Sequence, residues 1–145
     1  MAQPTAFNYR VKSIVKIIDG DTFDCVLDLG FDVLLEARVR MMGIDTPESR
    51  TRDLTEKAFG LAAKQFVKDL LPIGSQQIIK TQKDKTGKFG RILGDFIIED
   101  RLLTQIMVEN YHAVPYFGES KDDIHQLHML NRSKLLESGT VKLED

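Results

Sequence analysis

Three strand-forming stretches lie within the first 44 residues, parted by two reversal signals, and this crowding most constrains the fold. Tyr9 to Ile18 alternates, with Val11, Ser13, Val15 and Ile17 set against Lys12, Ile14 and Lys16, the period-two pattern of a strand with two distinct faces. Asp19-Gly20 makes a tight turn. Thr22 to Leu29 forms the next strand, Gly30-Phe31-Asp32 reverses the chain, and Val33 to Ile44 runs back.

The period then changes. From about Asp53 to Leu71, the residues Leu54, Ala58, Leu61, Ala62, Gln65, Phe66 and Leu70 recur at helical spacing. Asp53 stands three residues before Glu56, as in a capping box, and Pro72 and Gly74 stop the helix. Gln76 to Gln82 and Arg91 to Ile98 read as two more strands, joined by the charged loop Lys83-Asp84-Lys85-Thr86-Gly87-Lys88. Helices follow over Leu102 to Glu109 and about Lys121 to Leu136. Five strands, one helix inserted after the third and helices at the end predict an α+β domain, a five-stranded OB-type β-barrel with three helices. No repeat or linker divides the chain, so residues 1–145 are expected to form one domain with a core over about 9–137 and short tails.

With 42% apolar and 29% charged residues the chain has an ordinary globular composition. A net charge of −2 means that any polyanion has to be held by a local basic patch. Cys25 is the only cysteine, which excludes an internal disulfide and a thiolate zinc cluster, and it is expected to be a small buried strand residue. No segment has the roughly 20 apolar residues of a membrane span. The first ten residues lack the apolar run of a secretory signal. The expected location is therefore cytoplasmic, or secreted if a signal has been removed.

Functional chemistry concentrates in Arg40-Met41-Met42-Gly43-Ile44-Asp45-Thr46-Pro47-Glu48. Asp21 and Asp45 each lie at a strand end beside a turn, where two carboxylates can share one hard cation, with the Thr46 carbonyl, water and a phosphate completing its shell. The competing explanation makes Asp19 and Asp21 hairpin-turn residues and Asp45 an Asx-turn residue. Glu48 suits a general base acting on water, although Thr46-Pro47-Glu48 is also a good helix start, with Thr as N-cap and Pro at N1. Arg40 and Arg91 can clamp a phosphate and neutralise charge building in a pentacoordinate transition state. Arg38 shares a face with Arg40 under strand alternation, so the pattern alone leaves both candidates. Arg91 directly follows Gly90, at the edge of the loop holding Lys83, Lys85 and Lys88. His125 and His128 are three apart, but no acid or thiol lies at ligand spacing around them, so a metal role is not expected. Tyr116 and Phe117 follow Pro115, where they can stack on a base or pack in the core. Cation site, water activator and phosphate clamps together are the minimum set for in-line phosphodiester hydrolysis.

The residues also resemble a known family. Ile18-Asp19-Gly20-Asp21-Thr22, then Arg40 with Asp45-Thr46-Pro47-Glu48, then Gly87-Lys88-Phe89-Gly90-Arg91 are similar in order and spacing to the blocks of staphylococcal nuclease (thermonuclease) homologues, over about Ser13 to Leu136. The resemblance implies Asp21 and Asp45 as calcium ligands with the Thr46 carbonyl, and Glu48 as the base on the attacking water. It selects Arg40, rather than Arg38, with Arg91 as the two catalytic arginines. Lys88, Phe89 and Tyr116 become substrate-binding residues. Phe89 stands where the family often has tyrosine, and Gly118 where a second ring is expected beside Tyr116. The implied activity is calcium-dependent, sugar-nonspecific cleavage of DNA and RNA at the 5′ P–O bond, leaving 3′-phosphates. Mg2+ or Mn2+ is a conceivable substitute, and a monomer without membrane contact is expected. A catalytically silent nucleic-acid binding barrel is the alternative.

Overall fold

The computed structural model describes residues 6–83 and 91–143. Strands β1 (Ala6–Asp19), β2 (Thr22–Asp28) and β3 (Leu34–Met41) form an antiparallel meander, followed by the short β4 (Ile44–Asp45) and helix α1 (Leu54–Leu70). Then come β5 (Gln77–Lys83), β6 (Arg91–Ile98), β7 (Arg101–Leu102), α2 (Leu103–Glu109), β8 (Val114–Pro115) and α3 (Lys121–Glu137). The sheet order β3-β2-β1-β5-β6-β7, with β3 also pairing β6 in parallel, closes five strands into a mixed barrel. The predicted α+β architecture is what the chain adopts.

Closure requires strands to bend, and β1 shows how. Its register against β2 slips between Val11 and Ser13, between Ile14 and Lys16, and between Ile17 and Asp19. A bulge inserts a residue and shifts the side-chain phase, so the buried positions are Val11, Ile14, Ile17 and Ile18, while Val15 is 45% exposed. The alternation read from the sequence therefore fails in β1. One face of this bent strand leads into the barrel interior, where Phe23 and Phe96 meet edge to face with ring centroids 5.3 Å apart.

The third strand is also shorter than expected. It stops at Met41, Gly43 takes a left-handed φ of 71°, and Ile44–Asp45 leaves the barrel to pair with Val114–Pro115 of β8. Helix α1 starts where expected: the Asp53 carboxylate accepts from the Thr55 and Glu56 amides. The Asp53 amide, however, donates to Thr51 Oγ1. The buried stripe of α1 is Phe59, Gly60, Ala63 and Val67, whereas Leu54 is 77% and Leu61 47% exposed. The helix is rotated from the face its leucines suggested, because Ala63 and Val67 pack on the barrel while Phe59 meets Leu135 and Val141. Cys25 is buried as expected, and burial pushes its thiol up to about 11. Among the described residues no helix is long and apolar enough to cross a membrane.

Candidate active site

The β1–β2 turn, the end of β3 and the segment after β4 meet at one rim of the barrel. Register explains why. Thr22 pairs with Arg40, so Asp21, one residue into the turn, comes beside the guanidinium: Arg40 Nη1 lies 2.8 Å from Asp21 Oδ2. Arg38, two residues back, is opposite Asp24 and bonds it through Nε and Nη2 at 2.9 and 3.1 Å on the exposed barrel wall. That bond holds the Asp24 carboxyl below the usual carboxylate range. Of the two candidate arginines, Arg40 is therefore the one turned to the acidic rim.

Arg40 sits between two carboxylates. Its Nη2 is 3.8 Å from Asp45 Oδ1 and donates to the Ile44 carbonyl at 3.2 Å. Nη1 is buried and, despite its closeness to Asp21, has no well-aligned hydrogen-bond acceptor. Arg40 is thus held at the rim by its ion pair with Asp21 and its bond to the Ile44 carbonyl. Asp21 is buried, and desolvation pushes its carboxyl above the ordinary range against the opposing attraction of Arg40 and the bonds from Thr22 and Thr46. Its charge is thus undercompensated by the protein.

The Glu48 segment is fixed at both ends. The Thr46 amide donates to Asp21 Oδ2 at 3.3 Å, and the Ser49 amide donates to Asp19 Oδ1 at 3.3 Å. The Ser49 hydroxyl also donates to Asp19 Oδ1. Asp19 and Asp21 flank Gly20, so both ends of residues 46–49 hang on one turn. Glu48 itself is exposed and lines an open polar depression of about 380 Å³ with Asp19 and Arg50. Thr46 and Pro47 do not start a helix; α1 begins only at Leu54, so the capping explanation of this tripeptide falls away.

The remaining expected residues divide. Arg91 opens β6 in register with Arg38, which brings its backbone to the strand beside Arg40, but its side chain lies outside the described residues. Lys88 and Phe89 lie outside them altogether. Tyr116 is half-exposed just after β8, its amide bonded to the Gly43 carbonyl at 2.9 Å, and Phe117 is 80% exposed; neither is in the core. One contact escaped the sequence. His128 Nε2 of α3 lies 2.8 Å from Asp45 Oδ2. The acid that meets His128 stands 83 residues away along the chain, beyond the reach of any spacing rule.

Among the described residues no three His, Cys, Asp or Glu side chains converge tightly enough to enclose a metal. The donor set nonetheless suits a hard cation. Asp21 is an undercompensated buried carboxylate, Asp45 faces the same guanidinium, and both offer oxygen only. Such a pair would leave an open site, with further ligands to come from solvent or substrate.

The chain is a closed five-stranded mixed barrel with three helices, and an arginine lies between two carboxylates on its rim. The chain belongs to the staphylococcal nuclease homologue family, whose sequence model matches residues 38–135. That match takes in Arg40, Asp45, Thr46 and Glu48 and begins after Asp21. Among curated proteins, the chain is similar to Endonuclease YhcR of Bacillus subtilis, 27% identical over 122 residues, which is 80% of this chain and 10% of that protein. It is also similar to Protein ParB of Escherichia coli, 36% identical over 81 residues, 56% of this chain and 38% of that one. The chain thus spans well under half the length of either relative.

Proposed function

We propose that this chain is a metal-dependent, sugar-nonspecific nuclease that hydrolyses phosphodiester bonds of DNA and RNA at the 5′ P–O bond, leaving 3′-phosphates. The observation that carries the reading is the anchoring of residues 46–49 to Asp19 and Asp21, because it holds the exposed Glu48 on the same turn as the carboxylate paired with Arg40. Membership of the nuclease-homologue family and the likeness to a protein named as an endonuclease support it.

Asp21, Asp45 and the Thr46 carbonyl would hold the cation, with calcium the expected ion and Mg2+ or Mn2+ as substitutes. When bound, the cation neutralises phosphate charge and makes its bound water more acidic. Glu48 accepts a proton from the attacking water through a side-chain oxygen. Arg40 swings its unaligned Nη1 donor from the Asp21 edge to a non-bridging phosphate oxygen, and so strengthens its grip as charge accumulates there. Arg91, at the start of the neighbouring strand, supplies a second donor. Water adds to phosphorus while Glu48 takes its proton, the bond to the 5′-oxygen breaks, and the departing oxygen takes up a proton from solvent. Tyr116 offers a ring for a terminal base.

The test is release of acid-soluble nucleotide from single-stranded DNA, in calcium and in EDTA, by the wild-type chain and by Glu48→Ala. Calcium-dependent release that collapses in the variant is expected. Absence of release with every divalent ion, while single-stranded DNA still binds, would instead make the chain a silent binding barrel.

A further inference from the structure

Asp45 is not on a strand of the barrel sheet. It sits on the two-residue strand β4, whose ladder partner is the equally short β8, with Ile44 opposite Pro115 and Asp45 opposite Val114. A two-residue pair fixes the backbone weakly, so the direction of the carboxylate depends on what grips the side chain. Its two oxygens have different neighbours. Oδ1 faces Arg40 at 3.8 Å, and Oδ2 meets His128 Nε2 at 2.8 Å. A carboxylate only accepts, so Nε2 is the donor. The His128 side chain is 13% exposed, against 36% for Asp45, so the bond is sheltered on the imidazole side.

His128 does not arrive there alone. One turn further along α3, Asn131 Nδ2 donates to the Ala113 carbonyl at 3.1 Å, immediately before β8. Residues three apart share a helix face, so one face of α3 is bonded to the segment leading into β8 and to the acid of β4. The helix is thereby aligned on the small two-stranded sheet that carries Asp45.

We propose that His128 is a positioning residue for the cation site. Its hydrogen bond to Oδ2 fixes the Asp45 rotamer and leaves Oδ1 turned toward Arg40 and the incoming ion. The inference rests on the reading of Asp45 as a cation ligand. Groups that bond a ligating carboxylate from behind typically change metal affinity by about 10–100-fold when removed.

Calcium binding measured by isothermal titration tests this without any turnover. Four proteins are compared: wild type, Asp45→Ala, His128→Ala and His128→Gln, whose amide nitrogen reaches about as far as Nε2. Thermal melts of each show whether it is folded. The expected result is loss of binding in Asp45→Ala, binding weakened by about 10–100-fold in His128→Ala, and recovery to within about threefold of wild type in His128→Gln. If Asp45→Ala weakens calcium binding while His128→Ala binds as tightly as wild type or more tightly, the positioning role is overturned and the cation site stands. If Asp45→Ala binds calcium like the wild type, the cation-site reading fails and the positioning role goes with it. Failure of His128→Gln to recover, with the fold intact, also overturns the proposal, since a hydrogen bond from that point would not be what matters.

Discussion

Substituting alanine at Gly60 sets a local gain against a clash at the candidate active site, and the distances decide the outcome. Gly60 lies inside α1, where alanine is favoured over glycine by about 1 kcal/mol. A Cβ there would stand 2.2 Å from the Glu48 carbonyl oxygen, 2.4 Å from its carbonyl carbon and 2.6 Å from the Ser49 nitrogen. All three are main-chain atoms, so no side chain can rotate away. Restoring ordinary contact at 3.4 Å from 2.2 Å requires a shift of 1.2 Å. The atoms that must move belong to the segment anchored on Asp19 by the Ser49 amide and hydroxyl. Losing one bond to that carboxylate costs about 1.5–3 kcal/mol, which exceeds the helix gain of roughly 1 and leaves a net loss of about 0.5–2 kcal/mol. Thermal unfolding should therefore come a few degrees earlier in Gly60→Ala. A displacement of about 1 Å near the reacting atoms can cost on the order of 100-fold in rate, so kcat/KM for single-stranded DNA should fall by one to two powers of ten. A variant that melts at or above the wild-type temperature and cleaves at the wild-type rate would refute the reasoning, because it would show that α1 does not set the place of Glu48.

Three further substitutions probe the same structure. Arg40→Lys keeps the charge but loses the planar fork, so kcat should drop by about 100–1,000-fold; Arg38→Lys, on the outer wall with Asp24, should cleave at close to the wild-type rate, and equal losses would sink the distinction. His112 is buried against Phe66 with Nδ1 unpartnered, and burial pushes it below the ordinary 6.5. A histidine with a lowered folded value contributes stability that is whole above 6.5 and lost as pH falls from there through the folded value. Melting curves of wild type and His112→Phe taken between about pH 8 and pH 5 should therefore diverge, with the wild type losing more; parallel curves would exclude it. Phe31 is fully exposed at φ 55°, a left-handed conformation that costs a non-glycine residue about 1–2 kcal/mol. Phe31→Gly should raise the melting temperature after part of that gain goes to the freer unfolded chain, and a lower one would mean that the ring packs on something in solution.

Local chemistry is what the sequence discloses well. Gly30 adopts φ 83° where the reversal was read, and Asp53 caps α1 where a cap was read, because both follow from residues within a turn of one another. Decisions made between distant segments are less legible. Leu54 and Leu61 satisfy a helical period as well as Phe59, Ala63 and Val67 do, and only the positions of the barrel and α3 tell which face is covered. The bulges of β1 belong to barrel closure, which no window of ten residues contains. Arg40 and Asp21 were each legible as site residues from local motifs, but their pairing follows from the β2–β3 register. The Asp45–His128 contact was not legible either, since it arises from the docking of α3 on β4 and β8.

The rim also shows why such a site cannot be ideal for the folded chain. Turning Arg40 out of the barrel wall depends on the register in which Thr22 faces Arg40 and Phe23 faces Val39; a slip of one residue would send the guanidinium into the core and Val39 outward. The same register leaves Asp21 buried, its charge only partly offset by Arg40, and its protonation favoured by desolvation. An apolar or amide side chain at that place would relieve the folded state of this cost. What the carboxylate would provide in exchange, under the proposed function, is an added attraction for a cation beyond its pairing with Arg40. The unaligned donor of Arg40 stands in the same relation to an added anion. Each imperfection lies on the rim where Glu48 is anchored, so the places at which this barrel is least content by itself are those where, under the proposed function, a metal and a phosphate would complete it.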